Sequence, residues 1–188
     1  MERNGDWRVT FTGKRFWPLD PRPEDICIED IAHQLSMICR YGGATSRFYS
    51  VAEHSVFVAL NTPLKHRLAA LMHDSAEAYV GDVVRPLKYL PTFAAYREVE
   101  ANIERVIAAK YGFDLPLADC IKQADARITH DEREIFLEPQ VWTPEEEARW
   151  GVVGEPLGVQ LRGWDPANAE AAFLHVFYTL GHETAGRA

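Results

Sequence analysis

The segment from Leu68 to Lys88, LAALMHDSAEAYVGDVVRPLK, places an adjacent histidine and aspartate inside an otherwise apolar helical pattern. A packed helix face ordinarily carries Leu or Ala there, so a fold that buries this segment must also satisfy His73 and Asp74. Glu77 follows four residues after His73 and three after Asp74, which puts it on the same face one helical turn away. The pattern predicts three polar side chains that converge on one patch of a helix.

The remainder of the chain also has mainly helical periodicity. Residues 7–17 alternate apolar and polar side chains around Thr12-Gly13, which predicts a short β-hairpin. Apolar residues then recur at helical spacing, and this predicts helices over residues 28–38, 50–61, 63–81, 92–111, 116–135 and 166–180. The sequence has no internal repeat and no domain boundary, so we predict a single all-α domain over residues 1–188 with a short N-terminal β-hairpin.

Charge and composition exclude several classes of function. The net charge is −8 and no basic block stands out, so a long nucleic acid is not an expected partner. No run of eighteen apolar residues occurs, which predicts no membrane span. The opening MERNGDWRVT lacks a signal peptide's apolar stretch, so we expect a cytoplasmic protein. The odd count of 3 cysteines indicates reduced thiols.

Two further polar residues lie on apolar helical stripes. Ser50 and Glu53 have capping-box spacing, and His54 then lies between Val51 and Phe57 on a face directed toward the interior. Asp125 lies four residues after Ile121 and three before Ile128, so it also borders a buried stripe. An isolated carboxylate there costs roughly several kcal/mol unless it is paired or metal-bound.

Together, His54, His73, Asp74 and Asp125 offer two imidazoles and two carboxylates. This set suits one divalent ion such as Mn, Co, Fe, Ni, Zn or Mg, with positions left open for water and substrate. Such a site is typical of hydrolysis, and Glu77, outside the ligand set, is placed to handle a proton. The alternative is that each residue is an ordinary core polar group with a hydrogen-bond partner.

Two other segments receive simpler interpretations. His130-Asp131 is a second His-Asp pair, but it begins the charged run HDERE, which we interpret as a solvated helix face. Residues 139–165 are irregular, with PEEEARW as a short helical piece. Long loops of this kind often act as lids or binding segments.

The residues spell the H…HD…D pattern of the HD-domain metal-dependent phosphohydrolase superfamily, which this sequence resembles over most of its length. AEHS at 52–55, MHDSAEAYVGDVVRPLK at 72–88 and IKQADA at 121–126 are similar to motifs of bacterial 5′-deoxynucleotidases in that superfamily. The segment from FTGKRF through CRYGGATSRFYSVAEH resembles a prophage-type HD hydrolase subgroup. The resemblance implies an HD-domain helical bundle with the metal near its centre.

The resemblance also implies roles for individual residues. It implies that Glu77 activates the attacking water, that Asp82 lies near the leaving group or sugar, and that the metal ligands are His54, His73, Asp74 and Asp125. Arg40 matches the arginine of an Arg-Trp pair that nucleotidases use against phosphate and the 2′ position. Tyr41 replaces that tryptophan, so deoxyribose selectivity stays open. Lys88 and Arg47 are further candidates for phosphate binding.

Other branches of the superfamily fit less well. Alarmone hydrolases carry Glu-Asp where this chain has Glu77-Ala78, and the GYP motif of cyclic-di-GMP hydrolases is absent. We therefore expect hydrolysis of nucleotides, with 5′-deoxyribonucleoside monophosphates giving nucleoside and phosphate. A dNTP triphosphohydrolase and a non-catalytic nucleotide-binding or sensor module are the alternatives. The resemblance and the aromatic content of residues 89–96 also raise the expectation of a homodimer.

Overall fold

The elements follow the predicted order of a hairpin and then helices. The computed structural model of the protein describes residues 2–150, 152 and 154–185, with the backbone alone for 181–185. Strands β1 and β2 span Arg8–Val9 and Arg15–Phe16 and pair antiparallel. The helices among these residues are α1 Ile28–Met37, α2 Val51–Leu60, α3 Arg67–Leu71, α4 Glu77–Val80, α5 Arg85–Lys88, α6 Ala94–Tyr111, α7 Asp119–Phe136, α8 Pro144–Trp150 and α9 Pro166–Ala185. The predicted all-α fold with a short N-terminal hairpin is confirmed.

Helix α2 lies at the centre of the fold, where it packs against α1, α3, α7 and α9. Nearly all of its side chains are buried. The hydroxyl of Ser50 accepts a hydrogen bond from the backbone N–H of Glu53, which satisfies one of the free donors at the start of the helix. This central position explains why His54, one turn inside α2, is fully buried.

The hairpin covers the end of α4. Phe16 stacks on Tyr79 with 4.0 Å between ring centroids, and both rings are buried. Arg8 donates to the carbonyl of Tyr79 at 2.7 Å, near the C-terminal end of α4. The hairpin thus packs against the C-terminal end of α4, the helix that begins at Glu77.

The helix predicted over residues 63–81 is interrupted, which corrects that expectation. It ends at Leu71, and residues 72–76 form turns before α4 begins. Two side chains take carbonyls that a continuous helix would use: His73 Nδ1 lies 2.8 Å from the Ala70 oxygen, and Ser75 donates to the Met72 oxygen. Because such bonds compete with the helical ladder, the His-Asp pair lies in a break between two helices.

Two other boundaries differ from the predictions. Helix α7 begins at Asp119 instead of 116, and α9 continues beyond Leu180 to Ala185. Within the described part of the chain, no helix combines the length and the apolar character that crossing a membrane requires. All three cysteines are free.

Candidate metal centre

Three donor atoms meet at the break between α3 and α4. His54, His73 and Asp74 each offer one atom, and these atoms all lie within 4.8 Å of one another. The two imidazole Nε2 atoms are 3.2 Å apart, and Asp74 Oδ2 lies 3.2 Å from His73 Nε2 and 3.7 Å from His54 Nε2. This group could hold a metal ion.

The carboxylate of Asp125, on α7, lies beside the same two imidazoles. Its Oδ1 is 3.1 Å from His54 Nε2 and 3.7 Å from His73 Nε2. Donors that share one ion at bond lengths near 2.1 Å are separated by about 3.0 Å in octahedral and about 3.4 Å in tetrahedral geometry. The separations among His54, His73 and Asp74 agree with adjacent positions around a single ion, and Asp125 lies beside this three-residue group.

The other nitrogen of each imidazole fixes the ring tautomer. His54 Nδ1 lies 2.7 Å from Glu132 Oε1, and His73 Nδ1 lies 2.8 Å from the Ala70 carbonyl. Because both partners are acceptors, both Nδ1 atoms carry hydrogen and donate. In the neutral rings, both Nε2 atoms therefore point lone pairs toward each other and toward two carboxylates.

The carboxylates beside the two imidazoles favour a positive charge at this position. Burial opposes the charged form of His73, but the carboxylates of Asp74 and Asp125 outweigh it and raise the imidazole pKa well above its ordinary value. Burial raises the pKa of Asp125, but hydrogen bonds and charge from His54 and His73 outweigh it and hold that pKa well below its usual range. The carboxylates therefore favour a positive charge at this position, either a bound proton or a cation.

Glu132 is a functional candidate that the sequence analysis missed. HDERE was expected to be a solvated face, and this prediction is wrong for Glu132, which is fully buried. It lies four residues after Ile128 and seven after Asp125, so the helical period could have placed it on the buried stripe. Burial raises its pKa, but the charge of Arg40 and the bond from His54 outweigh this and lower the pKa to about 2.

Glu77, Asp82 and Lys88 lie together beside the donor group. Burial raises the pKa of Glu77 well above its ordinary value, and the charges of Asp74 and Asp82 raise it further. Burial also raises the pKa of Asp82. Lys88 Nζ lies 3.7 Å from Glu77 Oε1 and donates to Glu100 Oε1 at 2.7 Å. The cluster brings a protonatable carboxyl and an ammonium next to the candidate ligands.

The turn Arg40–Gly43 also lies beside the group. The Arg40 guanidinium lies 3.6 Å from Asp74 Oδ2 and 3.2 Å from Glu132 Oε1, and the phenol of Tyr41 donates to Glu132. Arg47 lies instead over the ring of Phe136, at 5.1 Å from its centroid. The structure thus brings Arg40 and Tyr41 to the donor group, whereas the described contact of Arg47 is with that ring.

Two buried carboxylates attach the end of the 139–165 segment to the helical core. Glu53 accepts the backbone N–H groups of residues 162–164 at 2.6–3.1 Å. Asp131 accepts those of residues 157–159 at 2.9–3.1 Å. Asp131 is only 7% exposed, so HDERE was also misinterpreted at this residue. Residues 157–159 and 162–164 are therefore hydrogen-bonded to the helical core, and a role of the 139–165 segment as a lid or a binding segment stays a prediction.

The fold and the site define a helical protein with a His-His-Asp group that could hold a metal ion, in which His54 is buried and His73 and Asp74 are partly exposed. The chain belongs to the family of two proteins described as uncharacterized, YfdR of Escherichia coli (strain K12) and RCAP_rcc00048 of Rhodobacter capsulatus. It is 42% identical to YfdR over 124 residues, which cover 66% of this chain and 68% of YfdR. It is 32% identical to the R. capsulatus protein in an alignment of 201 positions that covers 96% of this chain and 98% of that protein. No family model matches the sequence.

Proposed function

We propose that the protein is an HD-type metal-dependent phosphohydrolase that acts on nucleotides, with 5′-deoxyribonucleoside monophosphates as substrates and nucleoside and phosphate as products. One observation carries the proposal. Acceptor atoms of His54, His73 and Asp74 all lie within 4.8 Å of one another, and Asp125 Oδ1 lies 3.1 and 3.7 Å from the two imidazole Nε2 atoms. Converging acceptors repel one another unless a cation or bound protons lie between them, and a shared metal ion would remove this repulsion.

The neighbouring residues support a hydrolytic mechanism. A divalent ion held by the four side chains would polarise a phosphoryl oxygen and lower the pKa of the attacking water. Glu77 lies outside the donor set, and in its ionised form it would accept the proton of that water. Arg40 lies 3.6 Å from Asp74 and Lys88 lies 3.7 Å from Glu77, so two positive charges flank the donors and offset the charge of a phosphate.

A substrate panel tests this function. Protein loaded with Mn²⁺ or Co²⁺ is assayed on deoxyribonucleoside and ribonucleoside monophosphates and on dNTPs, with identification of the product. We expect inorganic phosphate from deoxyribonucleoside monophosphates. Release of triphosphate from dNTPs would instead identify a triphosphohydrolase. Turnover of no nucleotide by metal-loaded protein would contradict the proposal and favour a sensor module.

Replacement of Glu77 separates catalysis from binding. In Glu77→Gln we expect turnover to fall about 10²–10⁴-fold, because the amide cannot accept a proton. The bound metal, measured by elemental analysis, is expected to remain near the wild-type amount. The exposed Glu98→Gln on α6 is the matched control and should retain wild-type turnover. Cytoplasmic location and a homodimer remain predictions, and size-exclusion chromatography with light scattering checks the second.

A further inference from the structure

The carboxylate of Glu132 is shared between a metal-ligand histidine and the Arg40–Gly43 turn. Its Oε1 accepts hydrogen bonds from His54 Nδ1 at 2.7 Å and from the Tyr49 phenol at 2.8 Å. Its Oε2 accepts one from Arg40 Nη2 at 3.2 Å and another from the Tyr41 phenol. Arg40 Nε also lies 3.2 Å from Oε1, so one fully buried carboxylate contacts both His54 and the turn.

The bond to His54 fixes the direction of a ligand atom. Because Nδ1–H donates to a charged carboxylate, Nε2 keeps its lone pair and the ring cannot rotate without the loss of a short, charge-assisted bond. His54 is fully buried, and within the described residues its Nδ1 bonds to Glu132. Loss of that partner would leave a buried N–H unsatisfied.

The bonds to Arg40 and Tyr41 hold a strained turn in place. Tyr41 has a φ of 56°, and it is the one non-glycine residue with positive φ in the described part of the chain. A bulky residue rarely adopts this conformation, because its Cβ crowds the backbone, so the turn needs compensating contacts. The phenol of Tyr41 and the guanidinium of Arg40 both supply them through Glu132.

We propose that Glu132 is a positioning residue that couples the Arg40–Gly43 turn to the metal centre. It orients His54 for coordination, and through both of its oxygens it holds Arg40 next to Asp74. The turn and the ion therefore stabilise each other, since both depend on one carboxylate. This inference rests on the metal centre of the proposed function, and it is independent of which nucleotide is hydrolysed.

Glu53 provides a matched comparison within the same chain. It is also a fully buried carboxylate, and it precedes His54 directly in sequence. Its oxygens accept hydrogen bonds from the backbone N–H groups of residues 162–164. None of these residues is a candidate metal ligand. A Glu-to-Gln change at either position removes one buried charge. Only the change at Glu132 alters the hydrogen-bond partner of a candidate metal ligand, His54.

Isothermal titration of the metal-free protein with Mn²⁺ or Co²⁺ tests the coupling. We expect Glu132→Gln to weaken metal affinity about 10–100-fold. Glu53→Gln should lower the melting temperature and leave the affinity within about twofold of wild type. Equal losses of affinity in both variants, or no loss in Glu132→Gln, would overturn the inference. Failure of the wild-type protein to bind either ion would overturn the metal centre itself.

Tyr41→Phe gives a second test that removes a single hydroxyl. We expect it to weaken metal affinity severalfold, although Tyr41 contacts no candidate ligand in the described hydrogen bonds. In the Glu132→Gln background, the same change should have little further effect, because both act through one carboxylate. The Co²⁺ absorption spectrum should also shift in Tyr41→Phe. Unchanged affinity together with an unchanged spectrum would refute the coupling, even if Glu132→Gln does not fold.

Discussion

Asp131→Asn should destabilise the protein strongly, although sequence alone indicates an exposed position. The carboxylate accepts the N–H groups of Leu157, Gly158 and Val159 at 2.9, 2.9 and 3.1 Å. An asparagine in the same rotamer keeps one acceptor oxygen for Gly158 and Val159. Its amide nitrogen then faces the N–H of Leu157, where two donors meet.

The size of the effect follows from these contacts. A hydrogen bond to a charged group contributes about 1.5–3 kcal/mol, and a neutral one contributes about 1 kcal/mol less. One bond is lost and two are weakened, which gives a total of about 3.5–5 kcal/mol. This is a large part of the free energy of unfolding of an ordinary domain. For a chain of this length, it lowers the melting temperature by roughly 10 °C.

Thermal and urea unfolding followed by circular dichroism measures this change. The control is Glu134→Gln, a carboxylate-to-amide change at an exposed position of the same helix. It should alter the free energy of unfolding by less than about 0.5 kcal/mol. A loss below about 1 kcal/mol in Asp131→Asn would refute the reasoning, because the three N–H groups would then be satisfied by water.

Two further predictions concern stability. Burial raises the pKa of Asp30, but hydrogen bonds from Cys27 and the hairpin outweigh it and lower the pKa below 3.8. The ionised form therefore stabilises the fold above pH 3.8, and this contribution is lost as the pH falls through the lowered pKa. In Asp30→Asn, the free energy of unfolding measured in urea should depend less on pH in the acid range. An unchanged pH dependence would contradict this prediction. Gly163→Ala should cost about 2–5 kcal/mol, because φ is +65° and the new Cβ would lie 2.7 Å from the Phe48 oxygen. Gly13→Ala, with positive φ and open space, should cost only about 1–2 kcal/mol by the same denaturation assay.

Features that depend on neighbouring residues could be predicted from the sequence. Ser50 caps α2 as its spacing to Glu53 indicated, and Asp165 accepts from the N–H of Asn168 at the start of α9. The His-Asp pair stood out because two polar groups interrupted an apolar stripe. That argument did not need the helix to be continuous, so it survived the break at residues 72–76.

Features that depend on distant partners could not be predicted in this way. Glu132 and Asp131 belong to a charged run, and such runs are usually solvated. Their burial is decided by groups such as Tyr41, which lies 91 positions away, and Leu157, which lies 26 positions away. The same limit explains Arg47, whose loop position gave no sign that its side chain would lie over Phe136.

The anchoring of residues 162–164 by Glu53 has a consequence for the order of folding. These bonds join groups separated by 109–111 positions, and the bond between His54 and Glu132 spans 78. Helical proteins usually fold fast because their contacts are local, whereas contacts between distant positions form slowly. The helices can therefore form early. The bonds of His54 to Glu132 and of Glu53 to residues 162–164 can form only after most of the chain has been synthesised.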